Sequence, residues 1–363
     1  MKHWLETRQV LSRAARVLRT GGRCALATVV RVRGSAYRHE GAKMLLGADG
    51  ATVGNVSGGC LEQDVREVAR QVIQSGAPQL RSYCSGSDEV EAWDLGLGCD
   101  GQVDVFVERL EAERAAELAL LEGRTAFAGC SVISGAGASA RQRLVVTGER
   151  TEGSIGRELD AWAADRARGR LVSGVGGVEE SRGHAVFIDV LCPPPQLVMF
   201  GAGDDAMPLA RSAAEVGFQV VVVDYRRGLL TRERFPGAAQ LISSDGGEGL
   251  EDAALDRDSF AVVMTHNFAH DQAYVAALLG TDVPYVGMLG PRARRERIVQ
   301  NLAQAGPLTP ERTTRLYGPV GLDLGTDGPE QVALSVIAEV LALRSGRAAQ
   351  SLRERSIPIH VDG

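Results

Sequence analysis

No apolar run in this chain of 363 residues reaches the roughly 18 that a membrane-spanning helix requires. The N-terminus does not read as a secretory leader either. Trp4, Leu5, Val10, Leu11, Ala14 and Leu18 recur at helical spacing, and arginines interrupt them. A cytoplasmic location with no membrane partner is the expectation. Cations are not in excess: the formal net charge of −6 argues against a nucleic-acid partner. Cysteine is sparse, with Cys24, Cys60, Cys84, Cys99, Cys130 and Cys192 scattered and no Cys-x-x-Cys pair. In a cytosolic chain of this size they are expected as free thiols, most of them small core residues. Internal repeats and low-complexity tracts are missing as well. What is present, 44% hydrophobic and 24% charged, is the balance of a soluble globular protein. The length suits two domains, each with its own core.

The most informative segment is Leu197–Asp224. A short apolar run, Leu197–Phe200, leads into Gly201-Ala202-Gly203-Asp204-Asp205-Ala206, then a helical stretch, then Val220–Val223 closed by Asp224. Strand, glycine turn, helix and second strand ending in a carboxylate make the fingerprint of a dinucleotide-binding βαβ unit. Gly201 permits the sharp turn, Gly203 lets backbone approach a phosphate, and the helix N-terminus offers unpaired N–H groups. Asp224 stands where a ribose-binding acid belongs and would favour NAD over NADP. Asp204 and Asp205 put negative charge at that mouth and could instead cap the helix. Further apolar strands at Leu241–Ile242, Ala261–Met264 and Val283–Val286 alternate with helical patterns, and a last helix spans Pro329 to about Leu343. The expected fold is α/β: a C-terminal Rossmann-like, doubly wound parallel sheet preceded by an α+β N-terminal domain. Pro193-Pro194-Pro195 cannot continue a helix or a central strand, so the boundary is placed there, giving domains 1–192 and 193–363.

The N-terminal domain reads as a helix to about Arg19, a strand Cys24–Arg33, a turn at Ala48-Asp49-Gly50 and a helix Glu62–Gln74. A strand Val103–Glu108 and a helix Ala112–Leu121 follow. Then come strands near Ala126–Ile133 and Arg143–Val146, a helix near Arg157–Ala164 and a strand Ala185–Leu191. Two glycine-rich loops in it carry cysteine. In Ser57-Gly58-Gly59-Cys60-Leu61-Glu62 the thiol directly precedes a helix, which lowers a thiol pKa and makes a better nucleophile or soft-metal ligand. The alternative is a glycine turn with Cys60 as a packed residue. In Asp94-Leu95-Gly96-Leu97-Gly98-Cys99-Asp100-Gly101 the cysteine again lies in a flexible loop. Thiolates at Cys60 and Cys99 would suit molybdenum, copper, iron–sulfur or persulfide chemistry. Arg38 and Lys43 could hold a phosphate or carboxylate, or belong to a solvated loop. Thr265-His266-Asn267-Phe268-Ala269-His270 lies at the ligand-binding edge of the sheet, where the two histidines could share a face or serve as cleft lining and caps. Gly290-Pro291-Arg292-Ala293-Arg294-Arg295 opens a helix with three arginines, an anion site or an exposed basic face.

Taken in order, Gly-Gly-Cys60-x-Glu, Gly-Leu-Gly-Cys99, Gly201-Ala202-Gly203, Thr-His266-Asn and Gly-Pro-Arg292 resemble the XdhC/CoxI family. So does Pro319-Val320-Gly321-Leu322-Asp323-Leu324-Gly325 followed by Pro329-Glu330. The resemblance covers nearly the whole chain. It implies an accessory protein of the xanthine dehydrogenase system: a chaperone that binds molybdenum cofactor (molybdopterin), protects it while its terminal sulfur is installed, and inserts it into the apo-molybdenum hydroxylase. A cysteine desulfurase would be a partner, a homodimer is among the assemblies allowed, and turnover is not required. Asp204 stands where many members carry histidine, and Asp100 where many carry glycine. The expected cofactor contacts are Gly58, Gly59, Cys60 and Cys99, with Arg38, Lys43 and Arg292 for the phosphate and Gly201, Gly203, Asp224 and His266 in the second domain. Cys60 and Cys99 are also the expected metal ligands. The rival is an NAD(P)-dependent oxidoreductase built on Gly201 and Asp224, with His266 the candidate proton donor.

Overall fold

The computed structural model describes residues 2–34, 36–84, 102–112, 114–135, 142–246, 250–306 and 308–354. The chain forms two compact units, Met1–Pro193 and Pro194–Gly363.

The first unit starts with α1 (Lys2–Arg19) and the strands β1 (Cys24–Arg33), β2 (Lys43–Gly47) and β3 (Thr52–Gly54). Helix α2 (Glu62–Ser75) and strands β4 (Gln79–Cys84) and β5 (Gln102–Arg109) follow. The five strands form an antiparallel sheet in the order β3-β2-β1-β5-β4. Val65, Val68, Ala69, Val72 and Ile73 put one stripe of α2 against that sheet, and Gly76, left-handed at φ 73°, ends the helix by donating to the Val72 carbonyl.

The same connection order then recurs. Helix α3 (Ala115–Glu122) precedes β6 (Phe127–Ser134), β7 (Arg143–Val146), β8 (Thr151–Ser154), α4 (Arg157–Ser173), β9 (Gly177–Ser181) and β10 (His184–Leu191). The sheet order is β8-β7-β6-β10-β9. The sequence shows no internal repeat, yet the fold contains one, and its positions correspond in detail. Gly54, the last residue of β3, and Gly153, the last but one of β8, sit at φ 80° and 85°. A Cβ on either would lie 2.2 Å from the carbonyl oxygen of the residue that opens the second strand, Lys43 or Arg143. Thr28 faces Phe106 in the first copy as Ser131 faces Phe187 in the second, and Glu108 and Asp189 lie two residues further on. Val30, Phe106, Ile133 and Phe187, two residues from each copy, share one apolar cluster. Backbone geometry and buried polar positions are kept where side-chain identity is not, which hides the repeat from a reading of residues.

The second unit is a six-stranded parallel sheet. Its strands are β11 (Gln196–Phe200), β12 (Gln219–Asp224), β13 (Gln240–Ser243), β14 (Ser259–Val263), β15 (Tyr285–Met288) and the short β16 (Leu316–Tyr317). Helices α5 (Ala206–Glu215), α6 (Phe268–Leu279), α7 (Arg292–Ala305), α8 (Pro310–Thr314) and α9 (Pro329–Arg344) complete it. The order β13-β12-β11-β14-β15-β16 is that of a doubly wound sheet, with the chain reversing direction between β11 and β14. Every residue of β11 and β14 is buried, as expected of strands covered on both faces. The α/β architecture with a C-terminal Rossmann-like sheet is therefore as expected. Strands β4, β8 and β9 escaped the sequence because they are sheet edges with exposed or half-buried residues and no apolar alternation.

Candidate functional site

Two connections of the first sheet open at one end of it. Arg33 and Cys84 both pair with Gln102, and Gly54 pairs with Met44, so the segments 34–42 and 55–61 leave the sheet at the end where Cys84 and Gln102 lie. The segment 85–101, with Cys99, lies outside the described residues. The 55–61 segment is held from within. Glu62, the first residue of α2, accepts the N–H groups of Val56 at 3.3 Å and Ser57 at 2.8 Å, together with the Ser57 hydroxyl. Burial alone would raise the Glu62 carboxyl, but these donors outweigh it and hold it below the usual range. The Ser57 oxygen in turn accepts the N–H groups of Gly59 at 3.0 Å and Leu61 at 3.1 Å. Gly59 lies at φ 125°, a conformation that strongly favours glycine. The result is a non-helical turn leading into α2, with the Cys60 side chain exposed and its Sγ 3.6 Å from Ser57 Oγ. Cys24 and Cys130 are buried core thiols, pushed up to about 11 and about 12 by desolvation. Gly58 lies under the ring of Tyr37 from the 34–42 segment.

The two cations expected here as phosphate contacts have other partners. Lys43 is buried, with its ammonium 2.7 Å from Asp189 and 2.9 Å from the Gly41 carbonyl oxygen. Burial makes it unavailable to a surface anion, a correction to the expectation from its neighbourhood in sequence. The Arg38 guanidinium forks onto both carboxylate oxygens of Glu6 on α1. Asp189 also faces His3 at 3.1 Å and Arg143 at 3.9 Å, and Arg143 pairs with Glu117 at 2.9 Å. A groove of about 590 Å3 beside this cluster is lined by Arg114, Glu117, Arg143 and Glu152, but both of its arginines are already paired. Sequence reading missed Ser57 and the role of Glu62. A hydroxyl preceding a helix whose first turn carries Glu is a capping signal that could have found them. Asp189 carried no local signal, because its partners lie over a hundred residues away in the case of Lys43 and His3.

The second unit brings together Gly201, Gly203, Asp224 and His266 at the carboxyl ends of its strands. Gly201 sits at φ 129°, and a Cβ there would fall 2.3 Å from the Met264 carbonyl oxygen. Asp224 is buried, and both of its oxygens are engaged. Oδ2 accepts the Ala202 N–H at 2.6 Å, while the Arg226 amide and guanidinium reach Oδ1 and Oδ2 at 2.8–3.0 Å. These donors outweigh burial and hold its carboxyl low. Asp224 thus braces the glycine turn, and a ribose diol would have to displace Arg226. Asp205 stands at the N-cap of α5 but makes no side-chain cap bond; it takes His266 Nε2 at 2.8 Å instead, and Asp204 pairs with Arg234 at 2.8 Å. His266 is exposed and adopts φ 60°. Asn267 caps α6 by accepting from Ala269 and His270, and His270 turns to Asp245 at 3.3 Å and stacks on Tyr225 with ring centroids 4.4 Å apart. The two histidines therefore serve different carboxylates. Arg294 is tied to the buried Asp271 at 2.6 Å and Arg295 to the Leu316 carbonyl oxygen, leaving Arg292 as the exposed arginine of its first turn, paired with Glu296. Among the described residues no group of three or more His, Cys, Asp or Glu is placed to hold a metal ion. No described helix is long and apolar enough to cross a membrane.

A doubly wound domain, joined in one chain to a duplicated antiparallel module that exposes a thiol at a helix start, defines the class: a two-domain α/β protein. The comparisons narrow it. Residues 197–340 match the XdhC Rossmann domain, and residues 17–84 match the XdhC and CoxI family. A Bacillus subtilis protein described as a probable xanthine dehydrogenase subunit is 34% identical over 319 residues, covering 88% of this chain and 92% of that one. The Escherichia coli molybdenum cofactor insertion chaperone PaoD is 26% identical over 343 residues, covering 93% and 88%. A crystal structure of a xanthine dehydrogenase from Bacillus halodurans superposes with a TM-score of 0.75 at 29% identity, covering 94% of this chain and 98% of that one. The chain belongs to the XdhC and CoxI family.

Proposed function

We propose that this protein is an accessory factor of the xanthine dehydrogenase system that holds molybdenum cofactor and passes it to an apo-molybdenum hydroxylase. The observation that carries the reading is the exposed Cys60 thiol on the glycine turn just before α2, at the sheet end where the 34–42 and 55–61 connections emerge. Kinship with a cofactor insertion chaperone over 88% of that protein supports it.

The roles of the residues follow from their chemistry. Cys60 offers a soft sulfur, suited to molybdenum or to a transferable sulfur atom. Ser57, bonded to the carboxylate of Glu62, gives the thiol proton a hydrogen-bond acceptor and fixes the turn. The charge of Glu62 is absorbed by three donors, which softens its repulsion of an anionic cargo. Gly58 and Gly59 leave the backbone uncovered. Cys99 is the proposed second thiol, and Arg292 of the second unit a candidate phosphate contact. A cysteine desulfurase as sulfur donor, a cytoplasmic setting and a homodimeric assembly belong to the same proposal. An NAD(P)-dependent oxidoreductase is the weaker reading, since Asp224 is committed to its own turn and two aspartates crowd the pyrophosphate position.

The test compares wild type with Cys60→Ala, loaded in parallel with molybdenum cofactor under anaerobic conditions at matched folding. Molybdenum and pterin content are measured, followed by activation of an apo-hydroxylase. The variant is expected to retain less cofactor and to activate more slowly. Equal stoichiometric loading removes Cys60 from the site, and loading of neither protein removes the accessory reading.

A further inference from the structure

We infer that Tyr37 is the stacking surface on which the planar ring of the bound pterin lies, an inference that rests on the accessory reading above. Tyr37 is 76% exposed, and the only other aromatic among the described exposed large hydrophobic residues, Tyr225, is 37% exposed. A ring so placed contributes little to the core and leaves apolar surface in water. It is nonetheless oriented. A Cβ on Gly58 would lie 3.4, 3.5 and 3.8 Å from Cγ, Cδ1 and Cδ2 of the ring. Three ring atoms at nearly one distance mean that Tyr37 presents its face to Gly58, so the exposed face is the opposite one.

The second copy of the module acts as an internal control. Asp160 holds the Ile155 N–H at 2.8 Å as Glu62 holds that of Val56. From the third-strand glycine to this anchoring carboxylate the first copy runs from Gly54 to Glu62 and the second from Gly153 to Asp160, one residue shorter. There the helix starts at Arg157, three residues before the carboxylate, with Gly156 O accepting from Leu159 at 2.8 Å and Asp160 at 3.0 Å. In the first copy it starts only at Glu62, where Leu61 O accepts from Val65 at 3.0 Å, and residues 57–61 form a non-helical turn. The module therefore folds without that non-helical turn. The extra residue, the two glycines and the aromatic laid over them are not demanded by the scaffold. They present a flat ring beside an exposed thiol. A fused planar heterocycle bearing a metal-binding sulfur group and an anionic tail fits that juxtaposition, with its ring on Tyr37 and its sulfur side toward Cys60.

The experiment loads full-length wild type, Tyr37→Phe and Tyr37→Leu with molybdenum cofactor and follows retention through gel filtration, alongside quenching of pterin fluorescence on binding. Thermal unfolding checks that all three fold alike, as an exposed side chain predicts. Tyr37→Leu is expected to weaken retention roughly tenfold or more and to lose the quenching, as loss of a base–aromatic stack does. Tyr37→Phe, which keeps the ring, is expected to restore both. Retention by Tyr37→Leu within twofold of wild type overturns the stacking role and leaves the accessory reading standing. Failure of wild type itself to load overturns the accessory reading and this inference with it.

Discussion

Replacing Asp189 with asparagine tests the charge cluster that joins the two copies of the module. The Asp189 carboxylate lies 2.7 Å from the Lys43 ammonium, and both side chains are 2% exposed. At an effective dielectric of about 20, unit charges at that distance attract by about 6 kcal/mol. His3 and Arg143 sit 3.1 and 3.9 Å away on the same carboxylate. Asparagine keeps the shape and removes the charge, stranding the buried Lys43, while Arg143 keeps its pair with Glu117. The loss is capped, because burial already pushes the Lys43 ammonium down and it can shed its proton. Breaking a buried pair of this kind costs about 3–5 kcal/mol, and that is the expected destabilisation for Asp189→Asn. Removing both partners, as Lys43→Met with Asp189→Leu, should recover most of it. Trp4, Trp93 and Trp162, the only tryptophans of the chain, all belong to the first unit. Urea unfolding followed by tryptophan fluorescence therefore reads that unit. Acid gives a second check. Burial alone would raise the Asp189 carboxyl, but Lys43, His3 and Arg143 outweigh it and hold it far below the usual range. Its contribution is full above about pH 4, the ordinary carboxyl value, and is lost as pH falls below that. His3, pushed down by burial and by Lys43, binds its proton later than in the unfolded chain, so loss begins below about pH 6.5. The gap between wild type and Asp189→Asn should narrow in acid. A loss under about 1 kcal/mol at neutral pH, or a double variant no better than the single one, would refute the reasoning.

Alkylation at neutral pH, mapped by mass spectrometry, should modify Cys60 well before Cys24 and Cys130, whose thiols are buried and shifted upward; fastest reaction at either buried thiol would contradict the described site. Calorimetry should give no measurable heat for NAD or NADP at up to about millimolar ligand, where a dissociation constant near 1 mM corresponds to about −4 kcal/mol. Micromolar binding of either nucleotide would show that Arg226 yields Asp224 to a ribose.

Much of the second unit was legible, because buried parallel strands are written as unbroken apolar runs: Leu197–Phe200 and Val220–Val223 mark β11 and β12 within a residue or two. The first unit was less so. Cys24–Arg33 and Arg143–Val146 stand out, while β8, Thr151–Ser154, is exposed throughout and carries no pattern. The site divides along the same line. Cys60 and its glycines announce themselves as a glycine–cysteine run directly before an amphipathic helix. That Lys43 turns inward is set by Asp189, a partner almost 150 positions later, and no local spacing encodes it. Asp224 was placed correctly at a strand end, but its carboxylate faces its own glycine turn because Arg226, two residues on, pins it there.

The doubled module has a bearing on stoichiometry. Lys43 of one copy is neutralised by Asp189 of the other, and Phe106 and Phe187 share one cluster, so neither half is complete alone. Covalent linkage makes that pairing independent of protein concentration. Yet a non-helical glycine turn precedes the helix in the first copy, and the second has helix in its place. A module built from two equivalent chains would repeat that turn; this chain, folded as its own pair, has among its described residues one such thiol-bearing turn, so there is one turn to two copies of the module by construction.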